Sequence, residues 1–140
     1  MNKKFLSGGL AALAIFASTA FAETVSYKAD LLGSQEVPPV AGDGKGSAEL
    51  TYDGTTKSLK WKVTFSGLTG PATAAHFHGP AELGKNAGVV IPIPGTTSPL
   101  EGSATLTDQQ AADLMAGKWY VNIHTAANKS GEIRGQVVQK

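Results

Sequence analysis

The chain has 140 residues, with 12 Lys and Arg against 11 Asp and Glu for a net charge of +1, and no cysteine. The charges are scattered rather than run together, so a nucleic acid or an anionic membrane finds no electrostatic footing. Without cysteine there is no disulfide, no catalytic thiol and no thiolate metal ligand, and a chain of this length suits one domain held by its core alone.

The first 22 residues have the layout of a secretory signal peptide. Lys3 and Lys4 precede an apolar run from Leu10 to Phe16, and Ala20-Phe21-Ala22 forms a small-x-small cleavage signal. The run is too short to span a bilayer. Cleavage is expected after Ala22, which leaves residues 23–140 as a single domain with a net charge of −1. No second hydrophobic run follows, so no membrane insertion is expected after cleavage. The expected address is the periplasm or the extracellular space.

From there the chain reads as strands. "TVSYKADLLG" alternates Val25, Tyr27, Ala29 and Leu31 with polar residues. "GSAELTYDG" does the same with Ala48, Leu50 and Tyr52 and turns at Asp53-Gly54. "SLKWKVTFSG" follows, with Leu59, Trp61, Val63 and Phe65 on one face, so these two strands form a hairpin. "SQEVPPV" (34–40), lying before that hairpin, is a bent segment in which Pro38-Pro39 forbids ladder bonding. Further strands are predicted at Ala74–His78, Val89–Ile93, Gly102–Leu106, Trp119–His124 and Glu132–Val138. One short helix is predicted near 108–116, capped by Thr107 with Gln110 in a capping box and closed by Gly117. Eight short strands and one helix predict an all-β, antiparallel sandwich or barrel.

Strand parity places the three histidines. In "AAHFHG", Ala75 and Phe77 share one face, and His76 and His78 share the other. Phe77 takes the core, so both histidines point outward. In "WYVNIHT", Trp119, Val121 and Ile123 face inward, leaving Tyr120, Asn122 and His124 outside. In "GEIRGQVV", Ile133 and Val137 face inward, with Glu132, Arg134 and Gln136 outside. Pairing the last two strands through "TAANKSG" sets His124 opposite Glu132, Asn122 opposite Arg134 and Tyr120 opposite Gln136. Whether the "AHFH" strand lies beside this hairpin does not follow from periodicity.

"SQEVPPV", "AHFHGPAE" (75–82) and "GKWYVNIHTAANKSGEIRGQV" (117–137) together resemble the CHRD domain, a family named for repeats in chordin and common in exported bacterial proteins. The resemblance covers Thr24 to Val138 and implies an immunoglobulin-like or superoxide-dismutase-like β-sandwich. It marks Glu36, His76, His78, Asn122, His124, Glu132 and Arg134 as the recurring polar positions. There is a looser similarity to copper-zinc superoxide dismutases, which also carry an H-x-H pair, a later histidine and an arginine. That family's bridging histidine, zinc-loop ligands and disulfide have no counterpart here, which leaves a mononuclear site as the implied form.

Three neutral imidazoles suit Zn(II) or Cu(II). The first expectation is therefore a copper or zinc ion on His76, His78 and His124, with a polar cluster of Glu36, Asn122, Glu132 and Arg134 around it and water or Glu132 as a fourth ligand. It requires ring nitrogens within about 4 Å of one another, and a separation of 8 Å or more would exclude it. The alternative is a metal-free module for an exported protein partner or a glycan, in which the same residues form a structural lock. Catalysis has little support. No G-x-S-x-G is present, and a mononuclear copper redox activity is the least unlikely enzymatic reading. Trp61 and Trp119 fall on core faces by parity, not on a sugar-binding platform.

Overall fold

The computed structural model describes residues 8–15 and 23–140. Residues 8–15 form no regular element and are exposed, and the Ala20–Ala22 cleavage signal lies outside the described residues. The elements are β1 (Thr24–Leu32), β2 (Lys45–Asp53), β3 (Ser58–Ser66), β4 (Ala72–His78), β5 (Val89–Ile93), β6 (Leu100–Thr105), α1 (Asp108–Met115), β7 (Tyr120–Thr125), β8 (Ile133–Gln136) and β9 (Val138–Gln139). The antiparallel all-β architecture and, among the described residues, the single short α-helix are those predicted. The last predicted strand divides in two. Ile133–Gln136 pairs with β7, whereas Val138–Gln139 crosses to pair with β1. Val137, between them, turns its side chain fully into the core while its amide bonds the Trp119 carbonyl.

Hydrogen bonding follows one path, β5-β4-β7-β8-β1-β2-β3-β6. Its middle is narrow: β8 meets β1 at a single ladder position, Leu32 opposite Arg134. The sheet therefore folds there into two halves that face each other, β9 adding to the edge of β1, in a nearly closed sandwich that buries both apolar faces. Trp61 of β3 meets Phe77 of β4 edge-on across the interior at 5.4 Å between ring centroids. Phe77 also meets Trp119 at 5.7 Å. Such aromatic pairs contribute about 0.5–1.5 kcal/mol beyond the area they bury. Trp61 lies flat against its cross-strand partner Gly102, where a Cβ would sit 2.6 Å from the indole ring.

Local signals account for the joints. The β2–β3 turn is fastened by Asp53, whose Oδ1 accepts from the amides of Thr55 (2.8 Å) and Thr56 (3.3 Å). At α1 the predicted capping box is complete. Thr107 Oγ1 accepts from the Gln110 amide at 3.1 Å, and Gln110 Oε1 accepts from the Thr107 amide at 2.9 Å. Gly117, at φ +74°, closes the helix. Ala111 and Leu114 turn the helix's apolar side into the end of the core.

A candidate metal centre on the covered outer face

The missing strand order is resolved by β4 lying between β5 and β7. His76 stands opposite Asn122 and His78 opposite Tyr120, while His124 lies diagonally from His76 across Ala74. On the other side of β7, Asn122 faces Arg134 and Tyr120 faces Gln136, the register predicted for the final hairpin. Phe77 is fully buried, so parity places all three imidazoles on the opposite face.

That face is partly covered, with His76 and His124 half-buried. Two loops fold over it, 33–40 and 79–88. His78 is 9% exposed, Glu36 6%, Asn122 3% and Arg134 2%. Parity placed His78, Asn122 and Arg134 on the outer, non-core face, and the structure keeps them there beneath the loops. Their strands expose them to one side of the sheet, and the loops bury them. Arg134 fastens the longer loop, donating from Nη1 to Asn86 Oδ1 at 2.7 Å and from Nη2 to the Lys85 carbonyl. Its guanidinium carbon lies 3.5 Å from the centre of the Tyr120 ring. Tyr120 Oη in turn donates to the Ala87 carbonyl (3.0 Å) and accepts from the Ala87 amide (3.1 Å). Asn86 Nδ2 reaches the Val37 carbonyl at 3.2 Å, which joins the two loops. Gln136 holds the loop's start through the Ala81 carbonyl at 3.0 Å.

Beneath the loops the histidines converge. One nitrogen from each of His76, His78 and His124 lies within 4.8 Å of the others. His76 Nδ1 is 3.1 Å from His124 Nε2. His78 Nε2 and His124 Nε2 both meet Asn122 Oδ1, at 2.9 and 3.0 Å. The far nitrogens of two rings are anchored on backbone: His78 Nδ1 at the Ala87 carbonyl (3.0 Å) and His124 Nδ1 at the Lys129 carbonyl (2.7 Å). His78 also stacks on Tyr120, 4.7 Å between centroids and 3° from parallel. The 4.8 Å span exceeds the expected 4 Å and falls well inside the excluding 8 Å. Two bonds of about 2.0–2.1 Å to one ion, set at the tetrahedral angle, put their nitrogens about 3.4 Å apart. The widest pair must therefore close by about 1.4 Å.

A carbonyl oxygen only accepts, so Nδ1 carries the proton in both anchored rings and Nε2 keeps its lone pair. His76 Nδ1 can donate to the His124 Nε2 lone pair at 3.1 Å, which leaves His78 Nε2 and Asn122 Oδ1, 2.9 Å apart, as two acceptors facing each other. Turning the Asn122 amide over would offer N–H donors to both lone pairs, but at a cost on the amide's other side. Its Nδ2 faces the Ser130 carbonyl at 3.5 Å and the Glu36 carboxylate beyond it, and an oxygen there would be worse placed. Protonating the rings is opposed by burial, which pushes His76 and His78 below the ordinary histidine value. The neighbouring imidazoles lower His76 further, and the two oxygens facing His78 recover only part of its shift.

The remaining predicted residues separate. Glu36 closes a 3-10 turn at Gly33–Gln35 through its backbone amide on the Gly33 carbonyl (3.1 Å). Its carboxylate, however, enters the cluster beside Asn122, where Oε1 is buried without a hydrogen-bond partner. Burial raises its pKa, partly offset by the Arg134 charge, by the Asn122 amide and by the Val37 amide. Glu132 does not join the histidines. It sits in a bend before β8 and its carboxylate turns to the other side, accepting from the Thr69 amide (3.0 Å) and hydroxyl, Thr125 Oγ1 (2.9 Å) and Asn128 Nδ2 (3.0 Å). Parity fails there because Glu132 precedes the regular strand. Arg134 stands one residue away from the rings and acts through Tyr120 and the loop. The Ala87 and Lys129 carbonyls have no sequence signal, since every residue carries a carbonyl.

No curated protein and no solved structure matches the chain. The sequence model of the CHRD domain matches residues 27–137, a span that contains every strand pair around the three histidines and all of the sandwich but the first residues of β1 and the two of β9. The chain belongs to the CHRD domain family.

Proposed function

We propose that this CHRD domain binds a divalent transition-metal ion, copper(II) or zinc(II), through His76, His78 and His124, and that it does so outside the cytoplasm. The observation that carries the reading is the pair of backbone anchors. Protein histidines that ligate metals donate their other ring N–H to a carbonyl or carboxylate, which fixes the tautomer and the ring. His78 and His124 have that arrangement, with Ala87 and Lys129 as the acceptors. A cation between the Nε2 atoms and Asn122 Oδ1 turns their mutual repulsion into ligation. The metal-free reading, a polar lock serving an exported partner, leaves the His78 Nε2 lone pair facing the Asn122 acceptor oxygen. The Lys3/Lys4, Leu10–Phe16 and Ala20–Ala22 pattern supports export.

Titration calorimetry with Cu(II) and with Zn(II) tests the site. One equivalent is expected to bind the unaltered protein, and the His76→Ala, His78→Ala double variant is expected to bind at least about 100-fold more weakly. Equal, weak uptake by both proteins would reject the metal and favour the partner-binding module.

A further inference from the structure

The four inward atoms of the cluster are not all imidazole. Asn122 Oδ1 lies 2.9 Å from His78 Nε2 and 3.0 Å from His124 Nε2, and His76 Nδ1 lies 3.1 Å from His124 Nε2. These three separations are close to the roughly 3.4 Å between neighbouring ligand atoms of a tetrahedral ion, and the 4.8 Å span of the histidine nitrogens is the one that must close. Asn122 is buried, and its amide is held from behind. A Cβ at Gly131 would stand 2.3 Å from Glu36 Oε1 and 2.6 Å from Asn122 Nδ2. The carboxylate and the amide nitrogen thus share the small space that a glycine leaves open. Glu36 Oε1 has no other partner there, and the negative side chain faces the N–H side of the amide.

We propose that Asn122 Oδ1 is the fourth donor of the site, held toward the histidines by Glu36, so that the ion sits in a filled set of three nitrogens and one oxygen. This rests on the metal reading above and deepens it. A catalytic zinc or copper keeps a position for water or substrate, whereas a filled four-donor set holds its ion. The consequence is a domain that retains or delivers a metal instead of activating water on it. Neither water nor Glu132 occupies the fourth position: the carboxylate of Glu132 is engaged by Thr69, Thr125 and Asn128 on the other side of the sheet. Glu36 acts as a positioning residue, since it touches the amide and not the ion.

The test loads the protein with one equivalent of Cu(II) and follows affinity by calorimetry and the azide-to-copper absorption on adding sodium azide. The unaltered protein is expected to bind copper and to show no azide band. Asn122→Ala is expected to weaken binding about 10–100-fold and to gain the band as a position opens. Asn122→Asp keeps an oxygen there, is expected to bind at least as tightly as the unaltered protein, and stays closed to azide. Glu36→Met removes the acceptor that aligns the amide while filling similar space. It is expected to lose about 10-fold in copper affinity with no loss of stability in the metal-free protein, because a buried orphan carboxylate is also removed. A purely structural role for Glu36 would lower metal-free stability and leave the affinity of the folded protein unchanged, which would overturn its part. An azide band of equal strength in the unaltered protein and in Asn122→Ala, or equal copper affinity in the two, would overturn the fourth donor. No copper uptake by the unaltered protein would overturn the metal reading itself, an outcome distinct from both.

Discussion

Gly131 is the residue on which the cluster's geometry is most exposed to a single change. Its φ of +125° is a conformation that side chains rarely adopt. A methyl there would collide with the Glu36 carboxylate and the Asn122 amide together. Gly131→Ala is therefore expected to cost about 1–3 kcal/mol in urea unfolding from backbone strain. It is also expected to weaken Cu(II) binding, because relief of the clash displaces Asn122. Full retention of both stability and affinity would show that the space behind the amide is not tight. Arg134 poses the complementary question for the covering loop. Lys carries the same charge but not the planar fork that reaches both Asn86 and the Lys85 carbonyl. Arg134→Lys is expected to speed hydrogen exchange at the amide of Ala87, which Tyr120 Oη otherwise holds. An unchanged exchange rate would assign the loop's closure to Tyr120 and Gln136 alone.

Among the elements, the joint at Glu132 behaves differently from the histidine face it adjoins. One buried carboxylate gathers the Thr69 segment, the end of β7 and the turn at Asn128. Burial alone would raise its pKa, but the hydrogen bonds from the Thr69 hydroxyl and amide, Thr125 and Asn128 outweigh it and leave the value lowered. A depressed carboxylate contributes stability that is complete above its unfolded value, about pH 4.3, and fades as pH falls through the folded one. Glu132→Gln is expected to destabilise the protein by about 1–3 kcal/mol at neutral pH. The gap between variant and unaltered protein is expected to narrow below about pH 4.3. Unfolding free energies measured from pH 7 to pH 3 check this, and a gap that widens in acid would have the sign wrong. This element also marks where sequence reading stops. Period-two alternation located β1 to β8 to within a few residues and set the β7–β8 register, because a one-residue slip buries Arg134 against the core. Parity sorted Phe77 from His76 and His78 for the same reason. It misplaced Glu132, which lies in a bend where alternation carries no information. It also could not foresee that loops 33–40 and 79–88 cover the outer face, because nothing in a loop's composition says where it folds back. The metal set as read from sequence was thus three side chains. The carbonyls of Ala87 and Lys129 and the inward amide of Asn122 became visible only with the strand order β4-β7-β8.

At the scale of the whole molecule, the site is built from both halves of the sandwich. His76, His78 and His124 belong to the β5-β4-β7-β8 half, while Glu36 arrives on the connection that leaves β1 of the other half. The last strand meets β1 at Leu32–Arg134, beside the same cluster, and again at Lys28–Val138 and Tyr27–Gln139, with the ladder interrupted between them. An ion held there is expected to stiffen the joint on which the fold turns, and to bind the folded chain while leaving the unfolded one almost free. Such binding adds RT ln(1 + [L]/Kd) to stability, about 2.7 kcal/mol at a free-metal concentration 100 times Kd. For a domain of this size that corresponds to a rise of about 10 °C in unfolding temperature. Scanning calorimetry of the protein with Cu(II) at that ratio is expected to show the rise, and the His76→Ala, His78→Ala variant is expected to show none at the same metal concentration. A rise of similar size in both proteins would place the binding elsewhere on the chain. A rise confined to the unaltered protein, and reduced in Glu36→Met, would tie the ion to the loop from the opposite half. The metal would then fasten the sandwich beside the interruption in the ladder that joins its two halves.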